Sequence, residues 1–193
     1  MDEGRRLTFR CFGTPGGQPA RDGNGETLMA DNAIQALIDR TEITDTIYRY
    51  ASCIDRRDND GIRAVLADDL WAQYGNADPI VGGDNVVKWI DEFTRDALYQ
   101  HHLLSVYHVD VDGDVADALV YHTSHQEFGG NPGTMHILVG RYHLQLRRGS
   151  DGWRISRLVF EIGWGDRRTD STGYLAEVGG RGPATLPSTP PAL

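Results

Sequence analysis

The chain has 193 residues, 39% hydrophobic and 24% charged, with a formal net charge of −9. That length fits a single domain, and the composition is too apolar for a wholly disordered chain. The acidic balance, with no basic stripe, excludes the electrostatic footprint of a nucleic-acid binder. The longest apolar runs are as short as Ile137-Leu138-Val139, so no segment is long enough to span a bilayer. Residues 1–28 lack the apolar stretch of a secretory signal, and the expectation is a cytoplasmic protein with no membrane partner. Two cysteines, Cys11 and Cys53, are too few for a disulfide framework and are expected as free thiols.

Residues 1–28 and 169–193 are dense in glycine and proline. Both residue types oppose ordered packing, so these stretches are expected as flexible tails around a domain over 29–168. The first predicted element is a helix from about Asp31, a side chain able to cap it, to Asp55. Ile34, Leu37, Ile38, Ile43, Ile47, Tyr50 and Ile54 recur three and four apart and form its apolar face. A shorter helix carrying Ile62, Val65 and Leu66 follows the polar break 56–60. A strand near Asp69–Tyr74 contains Trp71. A third helix, about Asp84–Ala97, presents Val86, Val87, Ile90 and Phe93.

Beyond that point the period changes. Residues 99–112, 114–128, 134–148 and 152–164 are β-prone runs, separated by Asp112-Gly113-Asp114, the glycine-rich segment 129–133 and Gly149-Ser150-Asp151-Gly152. Turn clusters between such runs predict an antiparallel meander. Helices followed by a sheet make an α+β fold: a curved antiparallel sheet wrapped by about three N-terminal helices into a cone with one deep pocket.

Seven histidines raise the question of a metal. His122 and His125 are three apart and His101 and His102 adjacent, so on regular strands each pair points to opposite faces. No metal site and no cofactor are expected. His101 alternates with Leu103, Ser105 and Tyr107, and His102 with Leu104, Val106 and His108, so alternation alone does not choose between them. Trp71, Trp89, Trp153 and Trp164 are expected in the core or along a pocket wall.

Four pieces of sequence carry a family resemblance. They are the helix with Ile43-Thr44-Asp45-Thr46-Ile47-Tyr48-Arg49-Tyr50-Ala51 and Ile54-Asp55-Arg56-Arg57-Asp58; the pair His101-His102-Leu103-Leu104; Val109-Asp110-Val111-Asp112-Gly113-Asp114; and Gly140-Arg141-Tyr142 followed by Gly152-Trp153-Arg154-Ile155. In order and spacing, over roughly Asp31–Arg168, they resemble the SnoaL-like polyketide cyclase and dehydratase family of the nuclear transport factor 2-like superfamily, similar to scytalone dehydratase and bile-acid dehydratase. The resemblance implies that Asp55 pairs with His102, that Tyr50 binds or protonates substrate, and that His125, with His122 as the alternative, assists from the next strand. Two positions depart from the family pattern. Val106 stands where an Asn is frequent, and Leu158 where an Arg is frequent, with Arg157 one residue earlier. A one-residue change on a strand turns the side chain to the opposite face.

A carboxylate on one imidazole nitrogen fixes the tautomer and stabilises the imidazolium. Asp55 and His102 are therefore expected to remove a proton beside a carbonyl, or one placed to expel a leaving group. His101, His122, Trp71 and Tyr142 are the expected substrate-binding residues. The activity implied is a cofactor-independent lyase of the dehydratase type on a small hydrophobic oxygenated ring compound. An isomerase or aldol-type cyclase on the same pocket and a non-catalytic binding or dimerisation module are the alternatives. The resemblance also implies a homodimer or homotrimer.

Overall fold

Helix α1 runs from Gly23 to Arg56, earlier in the chain than the expected start at Asp31. Glu26, Leu28, Met29 and Ala30, all strong helix formers, precede that cap in the sequence. The computed structural model describes residues 23–169; the expected tails otherwise lie outside the described residues. The chain divides into two units, Met1–Gln35 and Ala36–Leu193. In the first, the described residues are the opening turns of α1. The rest of α1 and all the other elements belong to the second.

Along α1, Ile43, Ile47, Tyr50 and Ile54 are buried as their spacing predicts, whereas Leu37 and Ile38 are exposed. The buried stripe opens instead at Asp39, whose carboxylate meets Arg148 Nη1 at 2.7 Å while that guanidinium lies over the Trp153 ring. The pair resolves an otherwise costly buried charge and ties α1 to the far end of the sheet.

The helix ends in a motif that positions the next residues. Asp58 N–H donates to Cys53 O (2.9 Å) and Arg57 N–H to Ile54 O (3.0 Å), with Arg57 left-handed at φ 56°. This is the Schellman arrangement, with arginine in the place glycine usually takes. Asp58 then caps α2, Asn59–Ala64, by accepting Gly61 N–H at 2.8 Å. A Cβ on Gly61 would lie 2.5 Å from Cys53 Sγ, so the close turn requires glycine.

Strands β1 (Leu66–Tyr74) and β2 (Ile80–Val81), helix α3 (Gly83–Thr94), and strands β3 (Ala97–Asp112), β4 (Val115–Phe128), β5 (Met135–Gly149) and β6 (Gly152–Arg168) complete the unit. The sheet has six strands in the order β2-β1-β6-β5-β4-β3, curved and unclosed. Strands β3 to β6 are the expected antiparallel meander, while β1 pairs with β6 in parallel. Register shifts in β3 near Val106 and at Val139/Gly140 mark bulges that bend the sheet.

The inner face packs Leu70, Val120, Leu146, Ile155 and Leu158 against Ile43, Ile47 and Ile62. The outer face leaves Leu103, Tyr107, Tyr121, Val139 and Trp164 exposed. No helix among the described residues is long and apolar enough to cross a membrane.

Candidate active site

The Schellman turn leaves Asp55 in the last turn of α1, facing the start of β3. Its Oδ1 lies 2.5 Å from His102 Nδ1, and its Oδ2 accepts the His102 backbone N–H at 2.9 Å. One carboxylate thus holds both the ring and the main chain of the same residue. Because a carboxylate only accepts, Nδ1 carries a proton, and the neutral tautomer of the ring has its lone pair on Nε2. Beside this pair, Gln100 Nε2 donates to the Ile54 carbonyl at 2.5 Å, closing the helix end against the strand.

His102 lines a cavity of about 220 Å³ between the inner sheet face, α1 and α3. Its apolar wall is Ile54, Trp89, Phe93, Leu138, Phe160 and Ile162, and its polar groups include Tyr50, Tyr74, His122, Ser124, Gln126 and Tyr142. Tyr50 and Tyr74 share a hydroxyl hydrogen bond of 2.6 Å. Burial pushes both phenols above the ordinary tyrosine value, and Tyr142 likewise. They remain protonated donors at any ordinary pH.

His122 sits 5.3 Å from the His102 ring, centroid to centroid, with Phe160 and Tyr142 edge-on against it. Burial, reinforced by the neighbouring His102, lowers its pKa to about 3. It is therefore neutral, and its Nδ1 has no partner among the described residues. Gly140 lies directly opposite His122 across β4 and β5. A Cβ there would fall 2.3 Å from Glu161 O and 2.8 Å from the Phe160 ring, so a side chain is excluded where the histidine and phenylalanine rings meet.

The structure brings Asp55, His102, Tyr50, His122 and Tyr142 together and separates the other expected residues from them. His125 is opposite His101 in the β3–β4 register, and their rings stack at 6.2 Å on the outer face. Neither lines the cavity, because each is one residue out of phase with the inward set His102, Leu104, His122 and Ser124. Trp71 also points away: Leu70, Ala72 and Tyr74 take the inner face of β1, and Trp71 packs under the Arg157 guanidinium at 4.4 Å. Leu158 is buried in the core, so the displaced arginine supplies no charge to the site. Tyr74, Ser124 and Gln126 were not anticipated; alternation with Leu70 and Ala72 was the available signal for Tyr74. Among the described residues no three His, Cys, Asp or Glu side chains are grouped to share a metal ion.

Residues 35–159 match the SnoaL-like domain model. The chain belongs to the SnoaL-like family. It is 29% identical to an uncharacterized protein of Mycobacterium tuberculosis over 128 residues, 66% of this chain and 87% of that protein. The fold is that of a candidate scytalone dehydratase from Novosphingobium aromaticivorans (TM-score 0.65, 15% identity, 69% of this chain and 90% of that one). It is also that of a hexachlorocyclohexane dehydrochlorinase from Novosphingobium barchaimii (TM-score 0.64, 12% identity, 70% and 94%). At these identities the likeness is one of fold alone: N-terminal helices on a curved, unclosed sheet, as in nuclear transport factor 2-like cone folds.

Proposed function

We propose that this SnoaL-like protein is a lyase of the dehydratase type acting on a small, hydrophobic, oxygenated ring compound. The observation that carries the reading is the Asp55–His102 pair set in the wall of a largely apolar cavity. His102 Nε2 takes a proton from the carbon beside a carbonyl, and the Asp55 carboxylate stabilises the imidazolium that forms. The electrons of the broken C–H bond become the new double bond as the C–O bond breaks. The leaving hydroxyl departs as water with the proton that His102 took, delivered by the imidazolium directly or relayed through the Tyr50–Tyr74 hydroxyl pair, which restores the neutral imidazole. Neutral His122 donates a hydrogen bond to the substrate carbonyl oxygen as negative charge builds on it during proton removal, a role that His125 on the outer face does not reach.

A dry cavity of about 150 Å³ accepts benzene, so a volume of about 220 Å³ suits one or two rings. The relatives named for dehydration and dehydrochlorination support elimination over isomerisation or aldol cyclisation, which open with the same proton removal. The exposed apolar residues of the outer sheet face support a homodimer or homotrimer formed through that face.

A panel of fused-ring β-hydroxy ketones, followed by the absorbance of the conjugated enone product, tests the reading. Wild-type protein is expected to form enone, and folded His102→Ala to form none. Undiminished turnover by His102→Ala would overturn the assignment.

A further inference from the structure

A second cavity, of about 370 Å³, adjoins the first and shares Phe93, Gln126 and Leu138 with it. Across its floor, Gln126 on β4 is in register with His136 on β5, and His136 with Arg167 on β6. All three side chains line this cavity, so three neighbouring strands present one polar row at the border of the apolar chamber.

Two members of the row are short of protein partners. Arg167 makes no side-chain ion pair among the described residues, although the chain carries a net charge of −9. His136 stands edge-on to Phe128 with its Nε2 buried and unbonded. The one acid in the lining, Asp166, is already engaged: Arg168 Nε lies 2.6 Å from its Oδ2, and the Arg167 backbone N–H donates to its Oδ1 at 2.8 Å. A cation, an imidazole and an amide aligned beside an apolar chamber form a recognition site for a planar anion.

Resting on the lyase reading for the inner chamber, we infer that this outer cavity binds an anionic substituent of the substrate, a carboxylate or its equivalent, carried on the ring that the inner chamber holds. The substrate class thereby narrows from an oxygenated ring compound to an oxygenated ring acid. Arg167 sets that preference and His136 and Gln126 orient the group, while the proton transfer stays with His102.

The matched probes 2-naphthoate and 2-naphthamide share a ring system and differ in charge, and their Kd values read the site by equilibrium binding. Wild-type protein is expected to bind the carboxylate about three- to tenfold more tightly than the amide, the scale of one charge-assisted contact. Arg167→Gln should abolish that preference by weakening naphthoate alone. The unchanged naphthamide Kd shows that the variant is folded and the chamber intact. Equal affinities in the wild type, a preference that survives Arg167→Gln, or no binding of naphthoate would each overturn the inference. The naphthoate preference should persist in His102→Ala, so failure of the lyase reading and failure of the anion subsite give different results.

Discussion

The buried His122 makes folding stability depend on pH in a way that can be isolated. The residue is 3% exposed, and burial, with His102 nearby, lowers its pKa to about 3. In the unfolded chain the same imidazole titrates near 6.5. As pH falls below that value the unfolded state takes up a proton that the folded state refuses until about pH 3. The contribution of His122 is therefore fully present above about pH 6.5 and is lost progressively as pH falls through this window. At pH 5 the loss relative to pH 7.5 is about 2 kcal/mol, or about 4–8 °C in Tm for a chain of this size. His122→Phe keeps a ring among Phe160 and Tyr142 and removes the titration. Thermal unfolding followed by near-ultraviolet circular dichroism at the two pH values gives the comparison. The variant should lose about 2 kcal/mol less than the wild type, whatever its absolute stability, because the other titrating groups are common to both. An equal loss in the two proteins would refute the assignment of His122 as a buried neutral imidazole.

Three further outcomes follow from the packing. Gly140→Ala should lower stability by about 1–3 kcal/mol or more, because its Cβ meets Glu161 O and the Phe160 ring; an unchanged Tm would contradict the close approach of β5 and β6. Tyr74→Phe leaves the Tyr50 hydroxyl without its 2.6 Å partner and should cost about 1–3 kcal/mol, with a fall in enone formation; full stability and full turnover would remove the tyrosine pair from the mechanism. Light scattering should give a dimer or trimer mass that falls toward the monomer when Tyr107 and Tyr121, whose tilted rings lie 4.3 Å apart on the outer face, are both changed to glutamate. A monomeric wild type would contradict the proposed role of that face.

The meander was legible because local chemistry dictates it. The Asp-Gly-Asp, 129–133 and Gly-Ser-Asp-Gly clusters punctuate runs that only strands can use, and the observed strands keep nearly those limits. The end of α1 was legible too, since the apolar spacing stops at Ile54 and the polar run 56–60 follows. Long-range choices were not. The parallel pairing of β1 with β6 joins residues far apart in sequence, and nothing local encodes it. The identity of the second site histidine depended on register: pairing His102 with Ser124 and Leu104 with His122 turns His122 inward and His125 outward. Both faces of β3 mix apolar and polar residues, so alternation could not supply that register. Leu37 and Ile38 extend the helical spacing into turns that are exposed, showing that periodicity marks an apolar face without showing what covers it.

The central claim is that Asp55 acts through His102, and a double-mutant cycle on enone formation tests it most directly. Asp55→Asn presents an amide where Nδ1 needs an acceptor and should lower kcat by about 10³-fold or more. His102→Ala should lower it at least as far, and the double variant should be no slower than His102→Ala alone, since the carboxylate has nothing left to orient. Losses that multiply in the double variant would mean that the two residues work independently, and the account of the pair would be wrong.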